Sequence, residues 1–348
     1  PLFHTLAADR NGDMFYGEIS AIPHITQEKI ADCVTGDINP TIKSVTNDAI
    51  VALDGWRSEC QWGEDPDSPP GSGLFGYDSL PKLFDTTYAV NSNDSYWLSN
   101  AEQPLEGFPT TMGFIGYEGK QQNLRTQINH EMVKARLEGT DGFDASPGFT
   151  LPSLQQLMYD NRVYAADIAL DDVLVICNEE QVANPAPDVE QTKAFRACAQ
   201  LRQWDRRVNV DSRGAQVFTE FWKGMERAAG GDFSSALDNQ AVWLLDFDPA
   251  SPLTTPSGID SNGENPLEGY PTTRDLVMDS LANAVTNLES ANVDLSAPWG
   301  QVQVLPREGF DVPIHGGRGS MGVFGAISSG LGDEGYRSIS GGNSYIQT

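Results

Sequence analysis

Positive charge is scarce in this chain of 348 residues. Lysine and arginine together number 22, against 49 aspartate and glutamate residues, which gives a formal net charge of −27 at pH 7. Nucleic-acid binding depends on clustered Lys and Arg side chains that contact phosphates, and anionic membrane surfaces attract the same side chains. The composition therefore argues against a nucleic-acid partner and against a membrane partner.

Long hydrophobic runs and metal-binding motifs are also missing. No apolar run approaches the roughly 18 residues that a transmembrane helix needs, so the sequence predicts none. The four histidines are scattered and no CxxC motif accompanies them, which argues against a zinc site. No GxSxG motif occurs, and no nucleophile–base pair can be assembled from the residues of this chain.

Cysteine is rare, and its placement is informative. The four cysteines fall into two pairs that are close in sequence, Cys33 with Cys60 and Cys177 with Cys198. Buried free thiols are the alternative interpretation, but two local disulfides are favoured. Disulfides persist in oxidising compartments. The cysteines therefore predict a periplasmic or secreted protein.

The order of the predicted elements indicates an α+β fold. Asn11-Gly12 lies between two strand-like runs and predicts a hairpin over residues 5–19, since both turn residues must accept a positive φ. A short strand is expected at Thr87–Val90. Short strands with Gly-rich turns are expected again from Gln301 onward. Strands thus come first, helices in the middle and strands at the end.

Helical patterns dominate the middle of the chain. Candidate helices cover residues 122–137, 152–159 and 217–228, and one more starts after Thr272. Another starts at Asp188, which forms a capping-box pattern with Gln191. Cys198 falls on the apolar side of that helix and is expected to meet Cys177, at the end of the segment Val173–Ile176. Residues 229–271 are interpreted as a loop.

Two motif matches are interpreted as turns. Residues 317–322 match GxGxxG, but no clear helix follows and no acidic residue lies about 20 positions on, so a Gly-rich turn between strands is favoured over a dinucleotide site. Residues 260–264, with the sequence DSNGE, resemble part of a calcium loop. They lack the glycine and the terminal glutamate that such a loop needs, which favours a solvated loop.

The segment from Asn91 to Trp97 carries the sharpest signal. A strand that runs into consecutive Asn and Asp residues, with Tyr and Trp beside them, loses β propensity. One interpretation is an Asx-rich turn at the end of the strand. The other is that the side-chain amides are aimed at the carbonyl of a substrate. The residues of this segment alone do not decide between the two.

Several motifs occur in a fixed order along the chain. They are AADR at 7–10, YGEIS at 16–20, ADC at 31–33, CQWG at 60–63, VNSNDSYWLSN at 90–100, NLRT at 123–126 and WDRRVNVDSRG at 204–214. As a set they span nearly the whole chain. The set resembles the β-subunit of the penicillin acylase family, in its acyl-homoserine lactone acylase and aculeacin A acylase branch.

That resemblance implies an N-terminal-nucleophile hydrolase fold, an αββα sandwich of two antiparallel sheets between helical layers. In this family a precursor cuts itself into α- and β-subunits, and the new N-terminal Ser attacks an amide carbonyl with its own α-amino group as base. An Asn side chain and a backbone N–H form the oxyanion hole, and an Arg orients the Asn. By resemblance Asn93 is the oxyanion Asn, Asn91 is the register alternative, and Arg125 is the orienting Arg.

The chain also departs from the family pattern. Pro1 has no hydroxyl or thiol and cannot be the nucleophile. The resemblance therefore implies a β-subunit portion whose partners are the remaining β-subunit segment and the α-subunit of the same precursor. Residues 1–120 are expected to be strand-rich and to carry the oxyanion motif, residues 121–295 to be mainly helical, and residues 296–348 to return to the sheet. Pro104 occupies the position at which some relatives place a calcium-binding carboxylate, so no cofactor is expected.

The sequence thus predicts an amidohydrolase that cleaves the acyl amide of N-acyl-homoserine lactones or of related lipopeptides and β-lactams. This chain would supply one oxyanion donor, the orienting arginine and much of the sheet framework, and is expected to be inactive alone. The alternative is a non-catalytic relative that keeps the scaffold for binding or assembly. An encoding gene that continues upstream to a Gly-Ser junction favours the enzyme, and one that starts here favours the scaffold.

Overall fold

The computed structural model describes residues 4–36, 51–112, 117–143, 146–228, 242–263 and 270–343. Pro1, which was excluded as a nucleophile, and Glu264, the last residue of the DSNGE stretch, lie outside these ranges. The chain divides into two units, Pro1–Gln122 and Asn123–Thr348. In the described ranges, no helix has both the length and the apolar character needed to cross a bilayer. Both candidate asparagines belong to the first unit, and Arg125 belongs to the second.

The first unit begins with the predicted hairpin. Strand Thr5–Ala8 pairs antiparallel with strand Met14–Gly17. Between them Gly12 has a φ of +95°, which glycine accepts because it has no Cβ. The carboxylate of Asp9 closes the turn by accepting a hydrogen bond from the N–H of Asn11 at 2.8 Å. The hairpin prediction is confirmed, and its cause is local turn chemistry.

A third strand completes this sheet, but at a position that the sequence did not predict. Strand Lys82–Phe84 pairs antiparallel with Met14–Gly17. Asp85, at a φ of +52°, ends the strand because the left-handed region is incompatible with extended backbone. The strand predicted at Thr87–Val90 is therefore wrong, and that segment is irregular.

A short helix, a disulfide and a small core hold the remainder of the first unit. Helix Gln27–Cys33 is capped by Thr26, whose hydroxyl accepts the N–H of Lys29 at 3.2 Å. The disulfide Cys33–Cys60 ties its end to the single turn Ser58–Cys60, which confirms this predicted pair. Two more single turns are Tyr77–Ser79 and Thr110–Met112. The buried apolar core is formed by Tyr16, Ile22, Phe75, Leu80, Tyr96 and Met112.

Helices form most of the second unit. Over the described residues they are Leu124–Glu138, Leu151–Met158, Tyr164–Ala183, Val189–Leu201, Ala215–Ala228, Thr273–Ser290 and Trp299–Val302. The capping box at Asp188 and Gln191 is present, with reciprocal hydrogen bonds of 2.8 and 3.1 Å. Each of the helices that the sequence predicts is confirmed, with bounds that differ by a few residues.

The long helix Tyr164–Ala183 contains the segment Val173–Ile176 and was not predicted from the sequence. A short continuous apolar run is compatible with either a buried helix or a buried strand, so its pattern does not identify the element. Cys177, fully buried in this helix, forms a disulfide with Cys198 of helix Val189–Leu201. The second predicted disulfide is confirmed, and it joins two packed helices.

Short antiparallel strand pairs complete the second unit. Trp243–Leu245 pairs with Ser257–Ile259, inside the predicted loop 229–271, so the loop prediction is wrong there. Within that stretch, residues 229–241 and 264–269 lie outside the described residues. The tail contains the pairs Val304–Arg307 with Phe310–Pro313 and Ile327–Gly332 with Gly335–Gly342, as predicted. Mixed helices and small sheets confirm the α+β class.

Candidate active site

Asn91 uses its side chain to hold its own loop. Its amide nitrogen donates to the backbone carbonyl of Asp94 at 3.1 Å, and its amide oxygen accepts the backbone N–H of Asn93 at 3.0 Å. Both ends of the amide are thus engaged within three residues, as in the Asx turns that Asn side chains form. Asn91 therefore forms the Asx turn that is one of the two interpretations of this segment.

Asn93 differs from Asn91 in exposure and in conformation. It is exposed, whereas its neighbours Ser92 and Asp94 are buried. Its φ of +60° lies in the left-handed region, which costs an L-residue about 1–2 kcal/mol and which Asn tolerates better than most. Strained backbone conformations cluster at functional sites. The structure therefore distinguishes the two asparagines: Asn91 shapes the turn, and Asn93 has the exposed side chain.

Hydrogen bonds fix the backbone on the C-terminal side of this turn. The N–H of Ser95 donates to the carboxylate of Asp94 at 2.9 Å, and the N–H of Trp97 donates to the hydroxyl of Ser95 at 3.1 Å. The N–H of Val90 donates to the carbonyl of Ser99 at 2.9 Å, which closes the loop on itself. A donor held on such a loop needs little reorganisation when charge develops during a reaction.

A buried polar cluster, formed by His4, Tyr16 and Glu18, adjoins the turn within the first unit. Tyr16 is fully buried, and its hydroxyl is hydrogen-bonded to Nδ1 of His4, with ring centroids 5.5 Å apart. A hydrogen bond between His4 and the backbone of Asp94 links this pair to the turn. The sequence contained Tyr16 and Glu18 in the YGEIS motif, but no signal there indicated that both are buried.

Burial controls the protonation of this cluster. It lowers the pKa of His4 to about 4, and the hydrogen bond with the Asp94 backbone acts in the opposite direction. It raises the pKa of the Glu18 carboxyl to about 7. Burial also raises the pKa of the Tyr16 hydroxyl well above its ordinary value, and Glu18, Tyr96 and Asp94 add to that effect. Near neutral pH, His4 and Tyr16 are uncharged and Glu18 is the group that titrates.

Arg125 lies in the first turn of helix Leu124–Glu138, in the second unit. Asn123 caps this helix, and its side-chain oxygen accepts the N–H of Thr126 at 3.0 Å. A cation in the first turn opposes the helix dipole. Helix formation therefore does not explain an arginine at this position. The orienting role of Arg125 stays a prediction.

The Gly-rich segment 317–322 permits a close approach to the start of this helix. A Cβ on Gly319 would lie 3.0 Å from Cδ of Arg125, and a Cβ on Gly322 would lie 2.9 Å from Cβ of Leu124. Gly322 also has a φ of +68°, which favours glycine. The interpretation of this segment as a turn is confirmed, and its glycines allow close packing around Arg125.

A cleft of about 730 Å³ in the second unit is lined by charged side chains that neutralise one another. Arg162 pairs there with Asp167 at 2.7 Å and with Glu131 at 2.5 Å. Arg207 pairs with Asp160. Both arginines are thus paired with carboxylates of the same unit. The cleft therefore offers no independent indication of a ligand, and the Asn91–Trp97 turn remains the candidate site of the first unit.

The described residues contain no group of three or more His, Cys, Asp or Glu side chains placed to hold a metal ion. Asp260, at the start of the DSNGE stretch, uses its carboxylate to accept the N–H of Asn262 at 2.9 Å. This is a local Asx contact of the kind found in turns. The interpretation of that stretch as a loop agrees with it.

Comparison with known proteins finds a family match and several acylases that are similar to this chain. The penicillin amidase family matches residues 1–348. Aculeacin-A acylase from Actinoplanes utahensis is 33% identical over 347 residues, covering 99% of this chain and 40% of that protein. Acyl-homoserine lactone acylase PvdQ from Pseudomonas syringae pv. syringae is 28% identical over 351 residues, covering 100% of this chain and 39% of PvdQ. PvdQ from Pseudomonas putida is 29% identical over 352 residues, covering 100% and 38%.

The chain spans about two fifths of the length of these curated relatives. Its own residues are matched from end to end, and the α+β content described above agrees with an N-terminal-nucleophile hydrolase fold. This chain belongs to the penicillin amidase family.

Proposed function

We propose that the protein containing this chain is an amidohydrolase. Its substrates are the acyl amides of N-acyl-homoserine lactones or related acylated amides, such as lipopeptides and β-lactams. The likeness to aculeacin-A acylase and to acyl-homoserine lactone acylases supports this substrate class. The observation that carries the proposal is the exposed side chain of Asn93 on a strained turn that Asn91 holds.

The proposed nucleophile is an N-terminal Ser outside these 348 residues. This is compatible with the relatives, of whose length the chain spans about two fifths. As its Oγ attacks the amide carbon, the α-amino group of the same Ser takes the hydroxyl proton. The carbonyl π pair moves onto oxygen, and the side-chain N–H of Asn93 donates to the oxyanion. The C–N bond then breaks, the amine leaves with the proton, and water hydrolyses the acyl ester to release the acid.

Asn93 suits this step because its amide donates without carrying a charge. The oxyanion is a stronger acceptor than the substrate carbonyl, so the hydrogen bond favours the transition state over the ground state. Arg125 is proposed as the orienting arginine. Residues 1–348 are proposed to form part of a β-subunit, with the remaining β-subunit segment and the α-subunit of the same precursor as partners. The two disulfides support a periplasmic or secreted location.

The test is an activity assay on the complete protein that contains this chain. Purified protein is incubated separately with N-octanoyl-homoserine lactone, N-dodecanoyl-homoserine lactone, an acylated lipopeptide and penicillin G, and the released amines are quantified. Hydrolysis of at least one acyl amide is expected, and the 348-residue chain alone should release none. A folded complete protein that binds these compounds but cleaves none would refute the proposal and favour a non-catalytic scaffold.

A further inference from the structure

The residues that follow the asparagine turn are anchored to a single carboxylate. Tyr96, only 2% exposed, donates its hydroxyl to Oε1 of Glu118 at 2.7 Å. The N–H of Phe108 donates to the same oxygen at 2.9 Å, and the N–H of Gly107 donates to Oε2 at 2.8 Å. Three hydrogen bonds from two chain segments thus converge on Glu118. Hydrogen bonds to an ionised carboxylate are stronger than bonds between neutral groups.

Further contacts join the same two segments. The indole Nε1 of Trp97 donates to the carboxylate of Glu106 at 2.9 Å, and the N–H of Leu105 donates to the carbonyl of Trp97 at 3.0 Å. The rings of Tyr96 and Phe108 meet edge to face, with centroids 5.3 Å apart. Residues 96–97 and 105–108 are therefore held together through backbone, side chains and rings, and Asn93 lies three residues before Tyr96 in the same turn.

We propose that Tyr96 and Glu118 are positioning residues that fix the oxyanion donor Asn93. The inference rests on the proposed function, since it gives Asn93 a reaction to act in. A donor acts on a transition state only when it is held within a fraction of an ångström, and a misplacement of about 1 Å can cost up to 10²-fold in rate. The bond from the buried Tyr96 to the half-buried Glu118 supplies that constraint.

The decisive variant is Tyr96→Phe, which removes the hydroxyl bond to Glu118 and keeps the ring against Phe108. In the complete enzyme with N-octanoyl-homoserine lactone, we expect kcat to fall by about 10- to 100-fold. KM should stay within about twofold, because the lost constraint acts in the transition state. The matched control is Tyr336→Phe. Tyr336 is also buried and donates its hydroxyl to a carboxylate at 2.7 Å, that of Glu220, in the second unit.

Tyr336→Phe is expected to lower the melting temperature and leave kcat unchanged. Hydrogen exchange provides a readout that does not depend on activity: the amides of residues 93–97 should exchange faster in Tyr96→Phe and not in Tyr336→Phe. Glu118→Gln should weaken the same anchor in another way. The NH₂ group of the new side chain cannot accept a hydrogen bond, so the N–H of Gly107 or of Phe108 would lose its acceptor. This variant should reproduce both effects.

The double variant Asn93→Ala/Tyr96→Phe tests whether the two residues act together. Its kcat should equal that of Asn93→Ala alone, because positioning has no value once the donor is gone. Additive losses would overturn the inference, as would unchanged kcat and unchanged exchange in Tyr96→Phe. In either case, a low kcat in Asn93→Ala would still support the proposed function. A complete protein that cleaves no acyl amide refutes the proposed function and the inference with it.

Discussion

The side-chain oxygen of Asn91 accepts the backbone N–H of Asn93 at 3.0 Å, and this contact separates two asparagines that the sequence offers as alternatives. The amide of Asn91 is engaged at both ends, so it stabilises the turn. This hydrogen bond is donated by the backbone of Asn93 and not by its side chain. Removing the side chain of Asn93 therefore preserves the bond from Asn91, whereas removing that of Asn91 breaks it.

Asn93→Gly should abolish the oxyanion contribution without unfolding the turn. Glycine accepts a φ of +60°, so the melting temperature should not fall. The expected loss in kcat is about 10²–10³-fold, equal to roughly 2.7–4 kcal/mol of transition-state stabilisation. KM should change much less, because the donor acts on an oxyanion that the ground state lacks. Steady-state kinetics on an acyl-homoserine lactone and thermal denaturation measure the two quantities.

Asn91→Ala is the matched variant for that experiment. It should lower the melting temperature as well as kcat, because the turn loses both side-chain bonds. If Asn93→Gly keeps a normal kcat while Asn91→Ala removes all activity, the register is displaced by two residues and Asn91 is the donor. If neither substitution alters kcat, the assignment of this turn to the oxyanion hole is wrong.

The two disulfides should be intact in the purified protein. Mass spectrometry of peptides prepared without reduction is expected to detect Cys33 linked to Cys60 and Cys177 linked to Cys198. Cys177→Ala with Cys198→Ala should lower the free energy of unfolding by about 3 kcal/mol, from the entropy of a loop of this size in the chain-entropy model. Crossed pairs, or free thiols at all of these positions, would contradict the assignment.

Gly322→Ala should disturb the start of the helix that carries Arg125. A Cβ there would lie 2.7 Å from Cβ of Tyr164 and 2.9 Å from Cβ of Leu124, at a φ of +68°. Overpacking together with left-handed strain should lower the free energy of unfolding by about 2–4 kcal/mol. The control is Gly330→Ala, whose Cβ meets no atom within 4 Å. Equal melting temperatures for the two variants would show that the close approach is not required.

Local chemistry explains which elements the sequence could predict. The Asn11-Gly12 hairpin and the capping box at Asp188 and Gln191 depend on residues a few positions apart, so their patterns are sufficient. Strand Lys82–Phe84 depends on a partner, Met14–Gly17, that is far away in sequence. The strand predicted at Thr87–Val90 therefore lies a few residues too late, because the distant pairing is not visible in the local sequence.

The candidate site shows the same limit. The asparagine-rich segment was visible in the sequence, but only the conformation at Asn93 and the bonds of Asn91 give the two residues different roles. Tyr96 and Glu118 lie 22 positions apart, and no pattern connects them. The raised pKa of Glu18 comes from burial in the folded unit, which is a tertiary property that its motif does not contain.

Glu18 should make stability depend on pH in a defined window. Burial raises the pKa of its carboxyl from 4.5 to about 7 in the folded protein. The folded state therefore holds this proton more tightly than the unfolded state does. The stabilising contribution of the protonated group is fully present below pH 4.5 and is lost as the pH rises through about 7, with a maximum slope of about 1.4 kcal/mol per pH unit.

His4 acts in the opposite direction over much of the same range. Its pKa is lowered from 6.5 to about 4 by burial, so its contribution is present above pH 6.5 and is lost as the pH falls toward 4. A pH profile of the wild-type protein alone would mix the two effects. The informative quantity is the difference in free energy of unfolding between wild type and Glu18→Gln, measured by chemical denaturation from pH 4 to 8.

Since His4 is present in both proteins, its titration cancels in that difference. The stability of wild type relative to Glu18→Gln should decline between about pH 4.5 and 7, by up to about 3 kcal/mol in total, and should be constant above that range. The decline occurs because ionisation of Glu18 places a carboxylate in a site that is 3% exposed, where the charged form is poorly solvated. Profiles that run parallel from pH 4.5 to 7 would mean that the carboxyl of Glu18 is hydrated in solution and titrates near its ordinary value.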